Sequence, residues 1–99
     1  MSSVSAIALS GMNAAQTSLQ ASAHNIANLG TAGFRREQVV QTEDVAGGVS
    51  TGLTRAAEAG EAMTTDMVGL LQSKNLFLAN LAVFRASDRM AGALLDAAA

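Results

Sequence analysis

The 99-residue chain is 49% apolar, yet it holds three Phe, no Tyr and no Trp, and its eight acidic and six basic residues leave a net charge of −2. A chain of this size bounds the fold to one small domain with little large apolar volume to bury, so a lone monomer is expected to be marginal. The charge balance excludes a general nucleic-acid binder, which needs a basic face, and the absence of Cys excludes a disulfide framework and a thiolate metal site.

A first helix is predicted from Ser5 to Asn28, with Ser3 or Ser5 as its cap and Met1–Ser3 frayed before it. Met12, Leu19 and Ile26 recur at seven, and Ala8, Ala15 and Leu29 interleave with them at threes and fours. That spacing draws one apolar stripe along a helix of about six or seven turns. Between Val4 and Gly33 the only ionisable side chain is His24, and the other faces are mostly Ala, Ser, Thr, Asn and Gln. A helix that is neutral and small-sided nearly all round is one meant to be surrounded, because small side chains let neighbouring backbones come close. Asn25 and Asn28 lie one turn apart on one face. Gly30 suits a left-handed residue after the helix; Thr31, Ala32 and Gly33 read as a tight turn, and Phe34 as an aromatic anchor behind it. Residues 1–34 thus form one unit, helix plus turn motif.

Residues 35–62 are a different regime. Val39 and Val40 lie among polar residues, Gly47 and Gly48 signal a turn, and Val49 to Arg55 alternate apolar with polar. The expectation is a β-hairpin, Arg36–Asp44 paired with Val49–Ala56, followed by a small-residue linker over 57–62. An isolated hairpin is marginal in water, so it is expected to be mobile unless it packs on a helix.

The last unit, 63–99, is predicted to be a second long helix. Thr64 or Thr65 would cap it, Asp66 would favour its positive end, and it would run to Leu95 or Asp96 with Ala97–Ala99 as tail. Met63, Met67, Leu70, Phe77, Leu81, Phe84 and Leu95 fall on one apolar face, with Lys74 and Asp88 at its edges. The chain has no Pro, which suits two uninterrupted helices. The expected fold is therefore mainly α: an antiparallel, coiled-coil-like pair of terminal helices with a small β-hairpin between them, forming a single small domain. Its core would be Met12, Leu19, Ile26, Met67, Leu70, Phe77, Leu81, Phe84 and Leu95. A second row, Leu76, Val83, Met90 and Leu94, lies about 100° round from the first face. One partner helix cannot cover both. Contact with other subunits is the expected use of this row, and a hairpin folded over it is the alternative.

Leu9-Ser10-Gly11-Met12-Asn13-Ala14-Ala15-Gln16, followed by Asn25-Ile26-Ala27-Asn28, Thr31, Gly33 and Phe34, resembles the N-terminal signature of bacterial flagellar rod and hook proteins, the axial family of the basal body. His24 stands where that family prefers Asn, and Ala32 where it prefers Pro. Asp66-Met67-Val68, Leu70, Lys74-Asn75, Phe77, Asn80, Met90, Gly92 and Leu94-Leu95-Asp96 resemble the family's C-terminal helix. Most members carry a folded domain between the two helices; here residues 35–62 intervene, which resembles the core alone. The resemblance implies a rod-type subunit whose paired helices polymerise into the axial tube that transmits torque and lines an export channel. Its partners would be itself, other axial proteins and the flagellar export apparatus. Its place would be the rod that spans the periplasm, reached without a cleaved signal peptide. On this reading Asn25, Asn28 and Asn80 fix register between helices, as single polar residues do in coiled coils, and Thr31, Gly33 and Phe34 complete the turn motif.

No catalytic, cofactor or metal site is expected. His24 has no acidic residue within four positions to orient it, and one His with Glu43 and Asp44 is too few for a metal. Arg35 and Arg36 read as a solvated pair, with no basic stripe around them. No uninterrupted apolar run is long enough to span a bilayer, and the few cations of the second helix are matched by Asp, which argues against an anionic membrane surface. No small-molecule substrate is implied. The rival reading is a helical-hairpin adaptor or regulator that binds one partner helix without polymerising.

Overall fold

The computed structural model describes residues 4–98, so the expected fraying of Met1–Ser3, the cap at Ser3 and the end of the tail at Ala99 lie outside the described residues. The element order is α1 (Val4–Ala27), β1 (Glu37–Glu43), β2 (Val49–Arg55) and α2 (Met63–Ala98). The fold is mainly helical, two long helices flanking an antiparallel β-hairpin, as the periodicities predicted. The molecule is elongated, 62 × 25 × 14 Å.

The helices run antiparallel in a register that three contacts define. Asn25 meets Asp66, and a Cβ on Gly69 would lie 2.8 Å from Ser22 Oγ. A Cβ on Gly11 would lie 2.6 Å from Asn80 Oδ1. In each pair the residue numbers add to 91, which places Val4 opposite Ser87. Residues 88–98 of α2 therefore run on beyond Val4, about 16 Å of helix at 1.5 Å per residue.

Among the described residues the buried apolar ones are Ala8, Met12, Ala14, Ala15 and Ala21, all on α1, and no large side chain is fully buried. Of the nine residues expected in the core, Met12 is buried. Leu19, Ile26, Leu70, Phe77, Leu81 and Phe84 are half-buried. Met67 and Leu95 are corrections: they are 50% and 72% exposed. The face that α2 turns to α1 carries Asp66, Gly69, Ser73, Phe77, Asn80 and Phe84, and is rotated by about 60° from the stripe read on hydropathy at 100° per residue. That rotation carries Met67 off the interface. Leu95 lies on the overhang, where α1 has no residue to offer.

The start of α2 also differs. Asp66 N donates to Ala62 O at 2.9 Å, so Ala62 opens the helix and neither Thr64 nor Thr65 is its cap. At the end of α1, Leu29 N bonds to Ile26 O and Thr31 N to Asn28 O, tightening the last turn. The left-handed residue is Gly33, with φ of 74°, and not Gly30. Phe34 N closes the turn onto Thr31 O at 3.3 Å. A residue with a Cβ is disfavoured at that φ by about 1 kcal/mol. G33A is expected to lower the urea midpoint by a corresponding amount without changing helix content by circular dichroism.

β1 and β2 pair from Glu37↔Arg55 to Glu43↔Val49. Asp44 N bonds to Gly48 O and Gly47 N to Asp44 O, with both glycines at positive φ: a three-residue loop with a bulge. The hairpin lies along α1 and makes no element contact with α2. Val49 N donates to Ser10 Oγ at 3.2 Å, and a Cβ on Gly48 would fall 2.5 Å from that same oxygen. The hairpin therefore docks on the first helix and does not cover the second row of α2.

Candidate assembly site

The elements form two features: a polar lock that joins the helices and the hairpin at one end, and an apolar row that nothing among the described residues covers. The lock is built on Asn25 and Asp66, each 3% exposed. The Asn25 carboxamide treats Glu37 as a neighbouring strand would. Its Oδ1 accepts from Glu37 N at 2.7 Å, and its Nδ2 donates to Glu37 O at 2.9 Å. The same Nδ2 donates to Asp66 Oδ1 at 3.3 Å. Arg36 reaches the carboxylate from the other side, with Nε donating to Oδ2 at 3.1 Å and Nη2 to Oδ1. One carboxylate thus holds α1, the entry to β1 and α2 together. The hydrogen bond to Asp66 pushes the Arg36 pKa above its ordinary value, outweighing the cost of burying the guanidinium. Arg36, expected as half of a solvated pair, is instead the cationic arm of this lock. Replacing the amide in N25A leaves Glu37 N–H and C=O without partners. The expected cost is about 2 kcal/mol, together with loss of exchange protection at the Glu37 amide.

The remaining polar residues of the expected set divide. Asn28 acts within its own turn: Nδ2 donates to His24 O at 2.9 Å, and Oδ1 accepts from Thr31 Oγ1 at 3.2 Å. It makes no bond to α2, so the expected role in helix–helix register is corrected for Asn28 to that of a helix stop. Asn80 Nδ2 donates to Leu76 O of its own helix while the amide lies over Gly11. Its part in register is steric: a side chain on Gly11 would displace it. Phe34 is half-buried; its ring stands 5.4 Å from that of His24 at 59°, and the Arg55 guanidinium carbon lies 5.6 Å from its centroid. His24 has no acidic neighbour along the helix, but the fold brings Glu37 Oε1 to 3.6 Å from its Nε2 and to 3.6 Å from Arg55 Nη2.

The apolar row is the second feature. Leu76, Val83, Met90 and Leu94 are 46 to 70% exposed. Leu71 and Leu78 are also exposed, on another side of the helix, more than about 120° round from the centre of the row. Between the helices an apolar pocket of about 250 Å³ opens outward, lined by Ala15, Leu19, Phe77 and Leu78 among others. By length and composition alone, Met63–Ala97 is apolar enough to cross a membrane. Among the described residues no group of three or more His, Asp or Glu is placed to hold a metal ion. No protein-family model matches the chain, and no curated protein does either.

Proposed function

We propose that the chain is a structural subunit of the bacterial flagellar basal-body rod, which polymerises through its paired terminal helices into the axial tube. The observation that carries the reading is the deficit of cover. Among the described residues five apolar ones are buried, four of them Ala, while α2 exposes Leu76, Val83, Met90 and Leu94 and overhangs α1 by residues 88–98. An exposed row of that extent marks a protein contact, and α1 and the hairpin are both already engaged elsewhere. The axial-family resemblance of both termini supplies the kind of assembly. On this reading the small residues of α1 serve a second purpose, since a thin helix pair packs closely with its neighbours around a channel. Other axial subunits and the export apparatus are the further partners, and the rod is its place in the cell.

Sedimentation velocity over a hundredfold range of concentration, with negative-stain electron microscopy of the concentrated end, tests this. Long tubular or rod-like particles are expected. A species that remains monomeric throughout sinks the proposal, and a discrete dimer favours the adaptor reading.

A further inference from the structure

We propose that the groove between β1 and α2 is a docking site for one extended, uncharged polypeptide segment of another protein, which adds a strand to the open edge of β1. In an antiparallel pair, alternate residues direct their N–H and C=O groups to opposite sides of the strand. Arg36 O accepts from Ala56 N, and Asp44 N donates to Gly48 O. The even-numbered residues of β1 therefore face β2 in the observed register, and Glu37, Val39, Gln41 and Glu43 face away. Asn25 occupies the outward groups of Glu37. Those of Val39, Gln41 and Glu43 have no partner among the described residues.

This edge opens into a groove of about 580 Å³, with α1 residues Ser18, Ala21 and Ser22 among those at its base and α2 residues Gly69, Gln72 and Ser73 on its far wall. The hydroxyls along the groove offer further hydrogen-bonding groups. Ser10 and Thr17 turn their hydroxyls back onto carbonyls of their own helix. Ser73 is 4% exposed and lines the groove; its hydroxyl makes no hydrogen bond among the described residues and keeps access to solvent. Ser18 and Ser22 are likewise unpartnered there. A strand lying in the groove would pair one edge with Val39 and Gln41 and offer the other to Ser73 and Gln72, the geometry of β-strand addition. The charged groups of the lining are already matched, Asp66 with Arg36 and Glu37 with His24 and Arg55. The occupant is therefore uncharged, with small side chains toward Ala21 and Gly69.

The test uses the full chain carrying M90D, so that groove binding is read separately from assembly. The probe is a capped heptapeptide of alternating Ser, Thr and Val, titrated while amide signals are followed by NMR. Saturable shifts at the Val39 and Gln41 amides are expected. Q41P removes an outward N–H that the β1–β2 ladder does not use, a change an edge strand admits. It should weaken binding at least tenfold while the amides of Val40 and Thr42 stay protected. N-methylating the peptide at alternate residues should do the same without altering the protein. Equal binding of the N-methylated peptide, or no saturable shift at millimolar peptide, overturns the proposal. Concentration-dependent protection of the Val39 and Gln41 amides without peptide overturns it as well, because a second copy would then be the occupant.

Discussion

D66A is expected to destabilise the chain by about 3 kcal/mol or more, the range found when one member of a buried ion pair is removed. The size follows from what the carboxylate does. Asp66 is all but inaccessible, and it receives the Arg36 guanidinium through two hydrogen bonds and the Asn25 amide through a third. Alanine leaves a cation whose side chain is 20% exposed facing a cavity, and an amide donor short of an acceptor. A domain of this length has roughly 5–15 kcal/mol in all, so the urea unfolding curve should move far to the left. Replacing both partners with leucine should cost less than D66A, since no charge is then left unpaired. The pH dependence has a definite sign. Arg36 has its pKa raised by folding, so its contribution is complete below the ordinary arginine value and is lost only as pH climbs through the higher folded one. Between neutral pH and moderate alkali that contribution is flat. A D66A midpoint within about 0.5 kcal/mol of wild type, the range of ordinary surface substitutions, would show that the lock is ornamental.

The two helices, the hairpin and their order were legible because each rests on a signal that survives without tertiary context: the seven-residue recurrence of Met12, Leu19 and Ile26, the Gly47-Gly48 turn, and period two through Val49 to Arg55. The rotation of α2 was not legible. Its inward face is Asp66, Gly69, Ser73 and Asn80 as much as Phe77 and Phe84, and hydropathy assigns such residues to water. Small and polar residues face inward here because the helices approach closely at Gly11 and Gly69, where a larger side chain would collide with Asn80 or Ser22. The signal that could have located that face is the spacing of the small residues themselves, Gly69 and Ser73 at i, i+4. The lock was half visible. Asn25 was singled out and Asp66 was assigned to the helix dipole, but the Arg36 that joins them comes from a segment whose position depends on the turn at Gly33. Contacts over thirty residues of sequence leave no local periodicity to read.

M90D is expected to abolish self-association while leaving the monomer folded. Met90 is 67% exposed, and it lies on the part of α2 that overhangs α1. The monomer therefore loses only the small helix-propensity difference between Met and Asp, about 0.5 kcal/mol. In an assembled interface the same position would bury a carboxylate with no cation from the row beside it, and Leu76, Val83 and Leu94 are all apolar. Desolvating an unpaired charge costs several kcal/mol, and every subunit of a polymer bears that cost. The concentration needed for assembly should rise more than a hundredfold, each tenfold corresponding to about 1.4 kcal/mol. R89D provides the control. It introduces a carboxylate one residue away, about 100° round the helix and off the row, and should leave particles visible by electron microscopy. If M90D and R89D impair assembly equally, net charge and not the row is responsible. If M90D assembles as the wild type does, the row Leu76, Val83, Met90 and Leu94 is not the subunit contact.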